Sequence, residues 1–322
     1  MSDKLRKPPL GKTRSLSPVA WRQGVHIVGS ALWCDALRAQ ELCFVSSAMA
    51  LAKTRKRAGT LLTTQTTLSL LSAMGRAPEA PQLLSPLGRP FFWGSLRLEL
   101  FANGDGPGSA SLWVKLPSDE RVVYAGQPSE QTSTFAEPLQ LRPAETLILS
   151  APWAQKFDEL PSLDELCMMI EKERMIAAAQ GMPLVIRCSS LTKLCELAAR
   201  LHISPVKVHA SLHSALKFCL SMSKVPQPTF VPGRTAKPGE LLFWPLSLVS
   251  PALPAHARSF FVSDGLGLSG VVRYAKATGA KRVLLLSGYR QEVAAALLRH
   301  KIACQPLGPP LQLGLFVEPA AE

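Results

Sequence analysis

Apolar and polar positions follow one grammar up to about residue 150 of this chain and a different one after it. Between Val25 and Val45 two short apolar runs centre on Trp33 and Phe44, and RAGTLLTTQTTLSLLSAMG then predicts a strand leading into a helix that Gly75 stops. SLRLEL (95–100) alternates polar and apolar, LWVKL (112–116) alternates again, and RVVYA (121–125) follows a Pro117-Ser118-Asp119 turn. Alternation with period two puts every second side chain on one face, so these three segments predict an antiparallel meander with one buried side.

Beyond residue 150 strands and helices take turns. Ser162 and Glu165 form a capping box for a helix over 163–180 that Gly181 ends, PLVIRCS reads as a buried strand, LTKLCELAARL as a second helix, and VKVHA as the next strand. The same β-α-β wiring returns near the end: SFFVS, a helix over 269–278, the strand KRVLLLS and a helix over 291–300. A Pro-rich passage over 224–255 separates the two and predicts a crossover between domains. Its uncharged part, 241–255, is shorter than the roughly 18 to 20 residues that span a bilayer, and Pro245, Pro251 and Pro254 interrupt it. It reads as a buried loop or interdomain segment, with no membrane partner. No repeat of fixed period is visible.

With 322 residues and 47% hydrophobic positions the chain can bury a large core, which excludes a disordered protein, a disulfide miniprotein and a coiled coil. Charge is sparse but one-sided: 36 Lys and Arg against 23 Asp and Glu give +13, pointing to a nucleic acid or another anionic partner. Five of the cations, Lys4, Arg6, Lys7, Lys12 and Arg14, crowd a start with no apolar signal region, so a basic arm over 1–20 is expected. Seven cysteines (Cys34, Cys43, Cys167, Cys188, Cys195, Cys219, Cys304) contain no CxxC pair, which points to buried thiols in a reducing cytoplasm.

The blocks FVSSAMALA, TLLTTQTTLSLL, FANGDGPGSASLWV, VVYAGQ, LILSAPWA, PLVIRCSSLTKLCEL, FVSDGLGLSG and VLLLSGYRQEVAAALL occur in that order. Their succession resembles metallo-β-lactamase-fold nucleases of the β-CASP type, with the bacterial ligase-associated DNA exonucleases as the nearest match, from about Gly24 to Leu307. The resemblance implies an α/β protein: an αββα metallo-β-lactamase sandwich with an inserted β-CASP-like α/β cap. It places the first part of the sandwich at 21–152, the cap at 153–240 and the second part of the sandwich at 241–322.

The departures from that family carry the functional reading. Its His-x-His-x-Asp-His block, which holds two zinc ions, falls here on Ser47, Met49, Leu51 and Ala52. The ligand of the next block is Asp105, the Asp of the Thr-Gly-Asp block is Gln127, and the acidic residue after the following strand is Ser150. The remaining two histidines are Gly265 and Ser287. Serine, methionine, leucine, alanine and glycine supply neither imidazole nor negative charge, so Asp105 alone cannot assemble a two-metal site. The expectation is no metal, no cofactor, no catalytic residue and a pseudo-nuclease. Asp264 matches an Asp of the family and is expected to position a loop, and Met49, Leu51 and Ala52 are expected to fill the emptied centre.

Other histidines do not rebuild a site by spacing. His209 and His213 stand i, i+4 but lack a third ligand, and His26, His202, His256 and His300 are isolated. Binding residues remain. Lys53, Arg55, Lys56 and Arg57 follow the decayed block directly and would each offset phosphate charge, or else form a solvated turn. Ser189, Ser190 and Lys193 sit at a strand-to-helix junction, suited to an anion or to an ordinary helix cap. GDGPGS (104–109) reads as a tight turn or a phosphate loop, and Trp93 and Trp153 as stacking partners or core.

The sequence therefore predicts a nucleic-acid-binding pseudo-nuclease, acting on DNA in preference to RNA, in repair or processing beside a DNA ligase or helicase. Two alternatives stand: a protein-interaction scaffold without nucleic-acid binding, and a metal-dependent hydrolase with a rebuilt site using Asp105 and Asp264.

Overall fold

The computed structural model describes residues 17–50, 59–223, 228–246 and 252–309. Leu51, Ala52, Lys53, Arg55, Lys56 and Arg57 lie outside these ranges, as does most of the expected N-terminal arm. These residues form a mixed α/β structure with three sheets.

The first sheet runs in chain order: β1 (Val19–Trp21), β2 (Val25–Ile27), β3 (Leu32–Cys34), β4 (Leu42–Phe44), β5 (Thr60–Thr63) and β6 (Gln82–Leu84). Its opening strands pair antiparallel, and β3 to β6 pair parallel. Between β5 and β6 lies the expected helix α1 (Gln65–Ala73), whose start is fixed by the Thr64 hydroxyl accepting from the Thr67 N–H. Gly75 follows it at φ 65°, the left-handed conformation that lets a chain leave a helix.

The predicted meander is present as β8 (Leu96–Ala102), β9 (Ala110–Lys115) and β10 (Arg121–Gly126), with β7 (Phe91–Trp93) paired outside it. Beyond β10 the sheet continues in parallel through β11 (Thr146–Ser150), β17 (Arg282–Ser287) and β18 (Ala303–Pro306). Alternation decides the layering. Val122, Tyr124, Ile148 and Leu284 face one core with Leu98, Leu112, Ile27 and Phe44, so the two sheets pack face to face. Their neighbours Val123, Leu147, Leu149 and Val283 face the opposite way, against α5 (Leu268–Thr278) and α6 (Gln291–Leu298) through Val271, Tyr274, Val293 and Leu297. Truncating a fully buried leucine between the sheets, Leu98 or Leu112, would cost about 2–5 kcal/mol.

The third sheet is all parallel, in the order β14 (Phe230–Pro232), β13 (Val206–Val208), β15 (Leu241–Pro245), β12 (Leu184–Cys188) and β16 (Arg258–Phe261). Its helices are α2 (Leu163–Ala179), α3 (Leu191–Arg200) and α4 (Ala210–Ser221). The Ser162 and Glu165 capping box on α2 is formed in both directions. Leu166, Ile170, Leu194 and Leu216 from these helices share a core with Leu70 and Leu71 of α1.

This sheet corrects two expectations. The passage 224–255 is not a crossover outside the domains, because it contains β14 and β15. Leu241–Pro245 is not a loop either: it is buried throughout and sits between two parallel neighbours, which is why it is apolar without alternation. The expected boundary at residue 240 thus falls inside the third sheet, which extends to Phe261. Among the described residues no helix is long and apolar enough to cross a membrane.

Candidate functional site

The carboxyl ends of the strands of both facing sheets converge, the usual place for a ligand in an α/β protein. In the second sheet β10, β11 and β17 are neighbours; Gln127 directly follows β10, and β11 and β17 end at Ser150 and Ser287. Ser150 and Ser287 are register partners, and their hydroxyls share a hydrogen bond of 2.5 Å. In the first sheet Asp35 directly follows β3, and Ser46 and Ser47 lie just past the end of β4. Together with Met49, Asp105 and Ser189 these residues line one cavity of about 550 Å³.

Six positions singled out from sequence, Ser47, Met49, Asp105, Gln127, Ser150 and Ser287, therefore meet in space although they span most of the chain. Gly265 lies just behind: a Cβ there would be 3.3 Å from Cγ of Gln127. The centre is not filled by Met49 as expected. Met49 lines the cavity and packs at its edge against the apolar cluster of α1 and the third sheet, and Leu51 and Ala52, the other two residues expected there, lie outside the described residues.

The donor set does not suit a zinc pair. Serine hydroxyls, a thioether, an amide and glycine surround a single unengaged carboxylate, Asp105. Among the described residues no three His, Cys, Asp or Glu side chains gather to share a metal ion. Gly265 has φ 81°, a backbone conformation in which a histidine would be strained.

A second carboxylate, Asp35, was missed from sequence. It sits at φ 43° after β3 and accepts from Ser46 N–H at 2.9 Å, Ser46 Oγ at 2.5 Å and Tyr124 OH at 2.8 Å, joining the two sheets at the cavity wall. Its only sequence signal is a lone acid closing the apolar run LWC. Burial first, and then Asp35, push the Tyr124 phenol and the Cys34 thiol well above their ordinary ranges, so both stay protonated.

The Ser189, Ser190 and Lys193 junction is corrected from phosphate contact to internal brace. The Ser189 hydroxyl donates to Asp264 Oδ2 at 2.5 Å, beside the Trp153 indole N–H on Asp264 Oδ1 at 2.9 Å. The Ser190 hydroxyl caps α3 and, with Thr192, reaches the Asp105 carbonyl. Lys193 is 6% exposed and donates to the Ser263 carbonyl at 2.9 Å, and burial lowers its pKa. Ser190 and Lys193 are buried against protein, while Ser189 keeps one side on the cavity. Asp264 positions the loop as expected, and Trp153 is held by it.

GDGPGS is a tight turn. A Cβ on Gly104 would stand 2.2 Å from the Ser129 carbonyl oxygen, the Gly108 N–H donates to Glu137, and the Gly108 carbonyl accepts from Thr64 and Thr67. Trp93 packs against the core between the sheets. His209 is the N-cap of α4, with its ring against Trp244, so it and His213 do not form a ligand pair. None of the seven cysteines forms a disulfide, and five of them are buried.

No family model matches the chain, and no curated protein matches it. A solved structure described as "Crystal Structure of a Protein of Unknown Function from Enterococcus faecalis V583" is similar at a TM-score of 0.46 and 11% identity, over 76% of this chain and 74% of that one.

Proposed function

We propose that this protein is a metal-free relative of the metallo-β-lactamase-fold β-CASP nucleases that binds nucleic acid, DNA in preference to RNA, without cutting it. One observation carries the reading: six of the nine positions that the resemblance aligns with metal ligands line a single cavity, and five of those six carry no metal-binding side chain of the family. The order of layers, helices outside two facing sheets, is compatible with that fold.

The charge distribution supports binding beside the cavity instead of inside it. Asp35 and Asp105 line the cavity with no Lys or Arg among the described lining residues, which disfavours a phosphodiester there. Many described cations are already paired, among them Arg121, Arg142, Arg258 and Arg273. By contrast, segments 1–16 and 51–58 carry nine cations and one acid, +8 of the chain's +13. The second of these joins the described chain at the cavity wall, since Ala50 lines it. Lys53, Arg55, Lys56 and Arg57 are the proposed phosphate contacts, and a DNA ligase or helicase of the same repair system is the proposed partner.

The test combines two measurements on purified protein: binding of a labelled single strand, and incubation of that strand with zinc, manganese or magnesium. Binding with an intact strand supports the reading. Cleavage that Asp105→Ala abolishes would replace it with a rebuilt hydrolase, and absence of binding would leave the scaffold alternative.

A further inference from the structure

The cavity at the strand ends has a chemistry of its own, independent of whether the protein binds nucleic acid. Its volume, about 550 Å³, lies within the range of sites for small organic molecules. The wall from the first sheet is largely apolar: Trp21, Val25, Cys34, Leu37 and Met49. The wall from the second sheet presents Asp105 and Gln127.

Two of these polar groups have no side-chain hydrogen bond among the described residues. Every hydrogen bond of Asp105 runs through its backbone: its N–H donates to Asn103 and its carbonyl accepts from Ser190 and Thr192. Its carboxylate accepts no hydrogen bond from the described residues and feels only the field of buried Lys193, and the half-buried amide of Gln127 is likewise without a hydrogen bond. The other carboxylate of the wall, Asp35, is fully engaged by Ser46 and Tyr124. An unpaired carboxylate in a confined space is costly, and a bound cation or strong donor removes that cost.

We infer that this cavity is a binding site for a small organic amine, its ammonium group held by the Asp105 carboxylate and the Gln127 carbonyl and its apolar body packed against Trp21, Val25 and Leu37. Anions are selected against by the two carboxylates of the lining, Asp35 and Asp105. Binding depends on pH through the charge of Asp105. Its pKa is raised to about 7 by burial, then by Asp264, while Lys193 opposes the rise. Among the described residues those two groups and the Cys188 thiol beside Asp264 are the titratable groups that act on it. The ionised form attracts the ammonium, so affinity rises as pH increases through 7 and levels above it.

The test uses full-length protein labelled at the methionine methyl groups, with benzylamine, benzyl alcohol and benzoate as probes. Benzylamine is expected to shift the Met49 methyl resonance and leave the exposed Met168, Met175 and Met222 unmoved. Benzyl alcohol should bind more weakly and benzoate not at all. Asp105→Asn should weaken benzylamine about tenfold, the loss of one charge-assisted hydrogen bond. Gln127→Glu should strengthen it, which keeps the test decisive should Asp105→Asn fail to fold. Benzoate binding as well as benzylamine, an affinity indifferent to both substitutions, or no Met49 response to millimolar benzylamine would each overturn the proposal. A DNA-binding failure leaves this result unchanged, so the two readings fall separately.

Discussion

Ser150 and Ser287 end neighbouring parallel strands and share a 2.5 Å hydrogen bond where the resemblance would place an acid and a histidine facing metal. A hydroxyl pair needs no metal to be satisfied, so this corner of the cavity is internally complete. Ser287→Ala should cost about 1 kcal/mol, the net worth of one neutral hydrogen bond, read as a shift in the urea midpoint. A loss of several kcal/mol would mean that the pair supports more than itself.

Asp35 is the larger structural risk. Asp35→Ala would leave the Tyr124 hydroxyl and the Ser46 N–H without their acceptor inside the wall, and should cost about 3 kcal/mol or more by chemical denaturation. Tyr124→Phe removes only one donor and should cost about 1–2 kcal/mol. Equal losses would show that Asp35 acts through Tyr124 alone.

How far the sequence carried can be seen at these residues. Elements with strong periodicity or caps were legible: the meander, the helix after Ser162, the β-α-β run around Cys188. Strands of three residues, such as β1, β2 and β14, are too short for a period to emerge, and β15 lacked alternation because both its faces are buried. In the candidate site, Ser47, Asp105, Gln127 and Ser287 were found by the order of their blocks. Lys193 was misplaced because a lysine after an N-cap looks the same whether it faces solvent or a buried carbonyl, and only tertiary packing decides. Asp35 was missed because its partners lie on other strands, one of them 89 positions away.

Asp105 makes stability depend on pH with a definite sign. Its folded pKa of about 7 exceeds the ordinary carboxylate value of 3.8, so the folded state holds the proton more tightly. Stability should fall as pH rises between those values and change little above them. Asp105→Asn should flatten this slope and stabilise the protein at pH 8, by about 2 kcal/mol once screening through the open cavity is allowed for. Urea titrations at pH 5 and pH 8 measure it, and an identical pH slope in the two proteins would refute the assignment.

Gly265→His should not recover a metal site. At φ 81° a side chain strains the backbone, and the new Cβ would press on Gln127. A cost of about 1–3 kcal/mol is expected, with no zinc retained after dialysis. Stoichiometric zinc in this variant would mean that the wall is more adaptable than its hydrogen bonds suggest.

The central claim, binding of nucleic acid through cations beside a metal-free cavity, is tested most directly by the salt dependence of single-strand binding. Fluorescence anisotropy should give a logarithm of affinity that falls linearly with the logarithm of salt concentration. Replacing Lys53, Arg55, Lys56 and Arg57 together by alanine should make that slope shallower by about 3, since each phosphate contact on a single strand contributes about 0.7. A slope unchanged by the fourfold substitution, or no binding even at low salt, would contradict the account.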